Sequence, residues 1–211
     1  MPRKKTPTTP AKAPKPKPAK AAPKAAKGPI YQLKITMNHV KPPVWRRVQT
    51  GDCTLAQLHD VIQASMGWHG GHLHLFEIGG EQFGLPEQWQ GDFMGDGEVN
   101  DSHKVKLSQV AADGVKKLRY VYDMGDDWEH AVLIEKTVES EPGAKYPRCI
   151  DGKRACPPED CGGAWGYGDF LNAIADPKHE SHADMVEWIG GEFDPERFDL
   201  DGVNEMLRVL S

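Results

Sequence analysis

Apolar and polar residues alternate with a period of two in run after run of this chain, and that rhythm limits its fold more than any other feature. Tyr31, Leu33, Ile35 and Met37 alternate with Gln32, Lys34, Thr36 and Asn38, the mark of a strand with one buried face. Pro42-Pro43 interrupts the pattern and residues 44–49 resume it, which predicts a short second strand paired with the first. His72, His74, Phe76 and Ile78 share one parity, and Leu73 and Leu75 the other. Two further runs, 117–122 and 128–138, flank Asp123-Met-Gly-Asp-Asp127 and predict a β-hairpin with a five-residue acidic loop.

Helical signals are fewer. Thr54 followed by Gln57 is a capping-box arrangement, Leu55, Leu58, Val61, Ile62 and Met66 recur at helical spacing, and Gly67 stands where a helix ends. Residues 85–104 read as a long surface loop, Lys106-Leu107 as the opening of a short strand or turn, and the Pro/Gly-rich stretch 141–166 as irregular. Beyond it, 170–175, 183–189 and 203–210 read as helices, with Asp176-Pro177 and Asp194-Pro195 as punctuation. Strands, one helix, a hairpin and then helices argue for an α+β domain with a helical C-terminal section, against alternating βαβ units.

Charge divides the chain in two. Residues 1–28 hold Arg3, Lys4, Lys5, Lys12, Lys15, Lys17, Lys20, Lys24 and Lys27 and no acid, a charge of +9. The rest carries 17 basic against 31 acidic side chains, a net of −14. A leader of Lys, Pro, Ala and Thr buries too little apolar surface to offset the entropy of ordering it, so it reads as a disordered tail. It lacks the apolar core of a secretory signal and the Arg/Ser bias of a transit peptide, and no run has the apolar length of a membrane span. The expectation is a cytoplasmic protein with one domain over 29–211. Its nine cations could neutralise DNA or RNA phosphates without reading sequence, since no aromatic residue is there to stack on a base; a solubilising linker is the other account. The acidic body itself would repel phosphate.

Residues able to titrate or bind metal crowd into two blocks, 120–130 and 156–167. His72 and His74, two apart on a strand, would project on one side roughly 6–7 Å apart. Asp123, Asp126, Glu129 and His130 of the hairpin could complete a nitrogen and oxygen site for zinc or another divalent ion. Hydrogen-bonded histidines beside a solvated turn would explain the same residues. Cys149, Cys156 and Cys161 lack the paired spacing of zinc ribbons; with His179 or His182 they could form a structural zinc site, or they are free thiols in a loop. His179-Glu180-Ser181-His182 misses the His spacing of zinc proteases. The carboxylates of Pro157-Pro158-Glu159-Asp160 read as a solvated loop or as groups presented beside the following glycine turn. Trp45 and Trp128 suit strand packing, and Trp89 and Trp165 suit a pocket wall or a partner surface. Phosphate-loop, dinucleotide and serine-elbow motifs are absent from the sequence.

Several ordered blocks resemble the plasmid pRiA4b ORF-3-like family, also labelled insertion-element passenger proteins of TnpR type. They are Tyr31-Gln-Leu-Lys-Ile35, Pro43-Val-Trp-Arg-Arg47, Thr54-Leu-Ala-Gln-Leu-His59, Met66-Gly-Trp68, His72-Leu-His74 with Phe76, and Tyr122-Asp-Met-Gly-Asp126 with Trp128 and His130. Pro157-Pro-Glu-Asp160, Gly162-Gly163, Gly166-Tyr167, Phe193-Asp-Pro195 and Phe198-Asp199 continue the match over nearly all of 29–211. The resemblance implies a mixed or antiparallel sheet wrapped around the first helix, and carriage on mobile elements. It implies no activity, and no serine set among arginines suggests recombinase chemistry. Two functions therefore stand: a non-enzymatic accessory protein of mobile-element origin with a nucleic-acid-binding arm, or a metal-dependent, hydrolase-like enzyme.

Overall fold

The structure, a computed structural model, describes residues 28–89 and 98–211; the leader therefore lies outside the described residues, apart from its last position. The alternating runs become strands β1 (Ile30–Met37), β2 (Trp45–Thr50), β3 (His74–Ile78), β6 (Lys117–Tyr122) and β7 (Trp128–Val138). Three more strands were not foreseen: β4 (Glu81–Gly84), β5 (Val99–Asp101) and β8 (Arg148–Lys153). All eight form one sheet in the order β5-β4-β3-β6-β7-β1-β2-β8. Every pairing is antiparallel except β4 with β5, so the sheet is mixed. The fold is α+β.

Helix α1 (Leu55–Met66) forms as its caps dictate, with Thr54 and Gln57 closing a capping box and Gly67 taking a left-handed φ of 87°. Its apolar residues join those of β1, β6 and β7 in one core that includes Leu33, Ile35, Leu58, Ile62, Tyr120 and Trp128. The opposite face of the sheet is polar and cross-linked. Arg47 bridges Glu135 and Asp151, and Arg119 bridges Glu77 and Glu129.

The C-terminal part supplies α3 (Gly163–Ala175), α4 (His182–Ile189) and α5 (Leu200–Leu207). Edge strand β8 is covered by α5, whose Asn204 side chain accepts from the Cys149 N–H at 2.9 Å and donates to its carbonyl at 3.0 Å. That closes an edge otherwise open to pairing with another chain. Two readings need correction. Lys106-Leu107 opens a short helix, α2 (Leu107–Ala112), because Gln109 Oε1 accepts from the Lys106 N–H and caps it. Residues 141–166 are not irregular throughout, since 148–153 pair with β2. Of the expected loop 85–104, residues 90–97 lie outside the described residues; the remainder includes a 3-10 turn at Pro86–Gln88 and β5.

Candidate functional site

The turn 123–127 joins β6 to β7, with Tyr122 opposite Trp128. Asp123 and Asp127 take left-handed φ values of 58° and 50°, which Asp tolerates because its short carboxylate can bond nearby backbone. Accordingly, Asp123 Oδ1 accepts from the Gly125 N–H at 2.9 Å. The Asp123 N–H donates to the Leu73 carbonyl at 2.8 Å, which binds the turn to the segment entering β3.

The second block is docked on this turn. The Gly162 N–H donates to Asp126 Oδ2 at 3.1 Å, and Gly163 lies against the Asp126 carbonyl. Glu159 accepts from the Tyr122 hydroxyl at 2.6 Å and from the His69 N–H at 3.2 Å. The Trp68 indole donates to the Pro157 carbonyl at 2.9 Å. Burial, and then Glu159, push the Tyr122 phenol well above its ordinary range, so it stays a neutral donor. These bonds hold Asp160, itself at φ 61°, over His72.

His72 then stands between two carboxylates. Its Nδ1 is 3.6 Å from Asp123 Oδ2 and its Nε2 is 3.2 Å from Asp160 Oδ1. One ligand atom from each of the three residues can be chosen so that all lie within 4.8 Å of one another. Two ligands each about 2.1 Å from a shared tetrahedral ion sit about 3.4 Å apart, so binding requires the widest pair to close by up to about 1.4 Å. Rotation can supply that, since the side chains of His72 and Asp160 are 37% and 69% exposed. Asp123, at 13%, is the fixed member. Beside it opens a cleft of about 340 Å³ lined by Gly70, Gly71, His72, Gln88 and Met124.

The other expected ligands go elsewhere. His74, the first residue of β3, is buried and does not join His72 in the converging set. It stacks on His59 with ring centroids 3.6 Å apart, and burial holds it at about 4. His130 is fully buried, its Nδ1 is 3.0 Å from the Trp128 carbonyl, and burial holds it at about 4. Glu129, of opposite parity to His130, emerges on the polar face. There Arg119, aided by Asn38, lowers it to about 2. Asp126 serves as the acceptor for Gly162.

The cysteines do not form a ligand group with His179 or His182: among the described residues the converging set is His72, Asp123 and Asp160. The Cys149 thiol donates to the Asp151 carbonyl. Burial raises the thiols of Cys149, Cys156 and Cys161, the last to about 12. Trp165 proves to sit on α3 and is 89% exposed. Asp160 escaped the sequence-derived ligand set although its block was noticed. The available signal was the Glu-Asp pair just before Gly162-Gly163, a place where the chain must fold back tightly.

Comparisons agree with this architecture. The model of the family described as "Plasmid pRiA4b ORF-3-like protein" matches residues 29–202. An uncharacterized protein, y4hQ of Sinorhizobium fredii (strain NBRC 101917 / NGR234), is 41% identical over 185 residues, covering 86% of this chain and 92% of that protein. The crystal structure of a protein of unknown function, MM3350 from Methanosarcina mazei Go1, is similar with a TM-score of 0.73 and 38% identity, over 82% of this chain and 96% of that one.

Proposed function

The chain belongs to the plasmid pRiA4b ORF-3-like family, and from that premise we propose that its domain binds a divalent transition-metal ion through His72, Asp123 and Asp160. The carrying observation is the convergence of these three side chains from three separated segments, held by a network that does not itself consume them all. One imidazole and two carboxylates suit zinc, manganese or iron. Asp126 and Glu159 stand in the same junction, and their charge favours a cation. Three protein ligands with an exposed flank leave room for a further oxygen donor. The chemistry an ion supplies there is Lewis-acid activation of water or a carbonyl, which makes hydrolysis the favoured reaction class. The residues around it position: Glu159 and Tyr122 hold the Asp160 loop, and Asp126 holds the turn.

Calorimetric titration of chelator-treated full chain with Zn²⁺ and Mn²⁺ is expected to give one site per chain. His72→Ala and Asp160→Asn should each weaken binding by at least about tenfold, whereas Asp127→Asn, on the same turn but outside the ligand set, should leave it unchanged. A chain that takes up neither ion, or variants that bind as well as wild type, would defeat the proposal.

The division of charge supports a second role, a leader that tethers the domain to nucleic acid and fits carriage on mobile elements. If all nine cations of 1–28 contact phosphates of duplex DNA, log K against log salt should fall with a slope near −8, about −0.9 per contact. Deleting 1–28 should abolish the binding. Equal binding by the truncated chain, or a flat salt dependence, would rule this role out.

A further inference from the structure

Asp160 has a second neighbour besides His72. It forms one wall of a cavity of about 360 Å³ on the α3–α4 side. Phe170, Ala173, Met185 and Trp188 make the cavity apolar, and His179 stands among them as a polar lining residue. Phe170 and Ala173 are buried, and Trp188 meets the Phe170 ring edge-on, 5.8 Å between centroids. His179 Nδ1 accepts from the Ser181 N–H, which leaves Nε2 as the donor. The volume is at the small end of the roughly 300–1,000 Å³ usual for small-molecule sites, enough for a metabolite and not for a peptide.

We infer that this cavity is a recognition pocket for small aromatic acyl compounds, whose ring packs against Phe170 and Trp188 while an acyl or carboxyl oxygen reaches past Asp160 to the ion. The inference rests on the ion-binding reading and names its substrate class. Two observations support it together. The apolar walls include two aromatic rings that can meet a third. The cavity adjoins a ligand carboxylate and not some remote surface.

The test uses Zn²⁺-loaded full chain and two chelating probes, phenylacetohydroxamate and acetohydroxamate, which share a metal-binding head and differ by a ring. Calorimetry should show the ring-bearing probe binding at least about tenfold tighter, as burial of an aromatic surface requires. Ala173→Phe, which fills the cavity, and Trp188→Ala, which removes a half-exposed wall, should each erase that preference while Zn²⁺ titrates normally. The second variant serves if the first fails to fold. Equal affinity for both probes, or a preference that survives both variants, would overturn the pocket and leave the ion site standing. A chain that takes up no Zn²⁺ would remove both, and titration with the metal alone distinguishes the two failures.

Discussion

Acidification from pH 7 to pH 5 is expected to remove about 5 kcal/mol of folding stability, a large part of the 5–15 kcal/mol a domain possesses. The cause is a set of imidazoles the fold keeps neutral. Burial lowers His74 and His130 to about 4, and burial together with the facing His74 lowers His59 to about 3; the ordinary value is about 6.5. The His59 and His74 rings are stacked, so a proton on either would face the other. Gln63 donates to the Tyr120 hydroxyl at 3.0 Å, which leaves that hydroxyl to donate to His59 Nδ1 at 2.7 Å, and protonation would destroy that acceptor.

The sign follows from proton counting. The unfolded chain takes up protons below about 6.5 that the folded chain refuses until about 4, so stability is complete above the unfolded value and falls as pH drops through that window. His74 and His130 alone give a slope of roughly 2 to 3 kcal/mol per pH unit near pH 5, and His59 adds to it. Glu129, lowered to about 2 by Arg119, acts elsewhere: its stabilisation is present above about 4.5 and is lost only below that. Urea unfolding at pH 7, 6 and 5 measures the slope, and His130→Leu should flatten it by about one proton. Stability that is level or rising toward pH 5 would contradict this account.

Those same histidines mark where sequence reasoning stops. Period-two alternation identified β1, β2, β6 and β7 because each has one face in the core. A ligand set that groups Glu129 with His130 neglects it, since their opposite parity sends them to opposite faces. Alternation could not find β4 or β5, whose few residues alternate too briefly to register, nor β8, as long as β2 but without an apolar alternation in Arg-Cys-Ile-Asp-Gly-Lys. Strand β8 is recognised only through its pairing with β2 and the cover of Asn204. Parity could not separate His72 from His74 as ligands: His74 stacks on His59, while His72, just before β3, stands between Asp123 and Asp160. The hairpin half of the site was legible as a turn rich in Asp. The other half was not, because what brings Asp160 to His72 is a set of bonds among Trp68, His69, Tyr122, Glu159 and Pro157, residues up to 90 positions apart. Local spacing carries no information about such convergence.

Gly163→Ala is expected to break that convergence without touching a ligand. A Cβ at position 163 would lie 2.2 Å from the Asp126 carbonyl oxygen and 3.1 Å from its carbon, and φ there is +70°. A left-handed φ at a residue bearing a Cβ costs about 1 kcal/mol or more. The overlap is the larger effect, because the atom in the way is backbone of a turn already pinned to Leu73 and cannot rotate aside. Either the start of α3 or the turn must move. Both movements separate Asp160 from Asp123, so the expected result is a loss of about 3 kcal/mol or more of stability together with loss of metal uptake. Gly166 is under the same constraint, its Cβ falling 2.0 Å from the Cys161 carbonyl oxygen. Gly168 provides the control: it lies on the same helix and nothing stands within 4 Å of its Cβ position. Gly168→Ala should therefore be neutral or stabilising by up to about 1 kcal/mol, as for any unhindered helical glycine. Thermal unfolding with and without Zn²⁺ reads both quantities on each variant. If Gly163→Ala melts with wild type and still binds Zn²⁺, the contact between turn and helix is not what assembles the site, and the juxtaposition of His72 with Asp160 needs another cause.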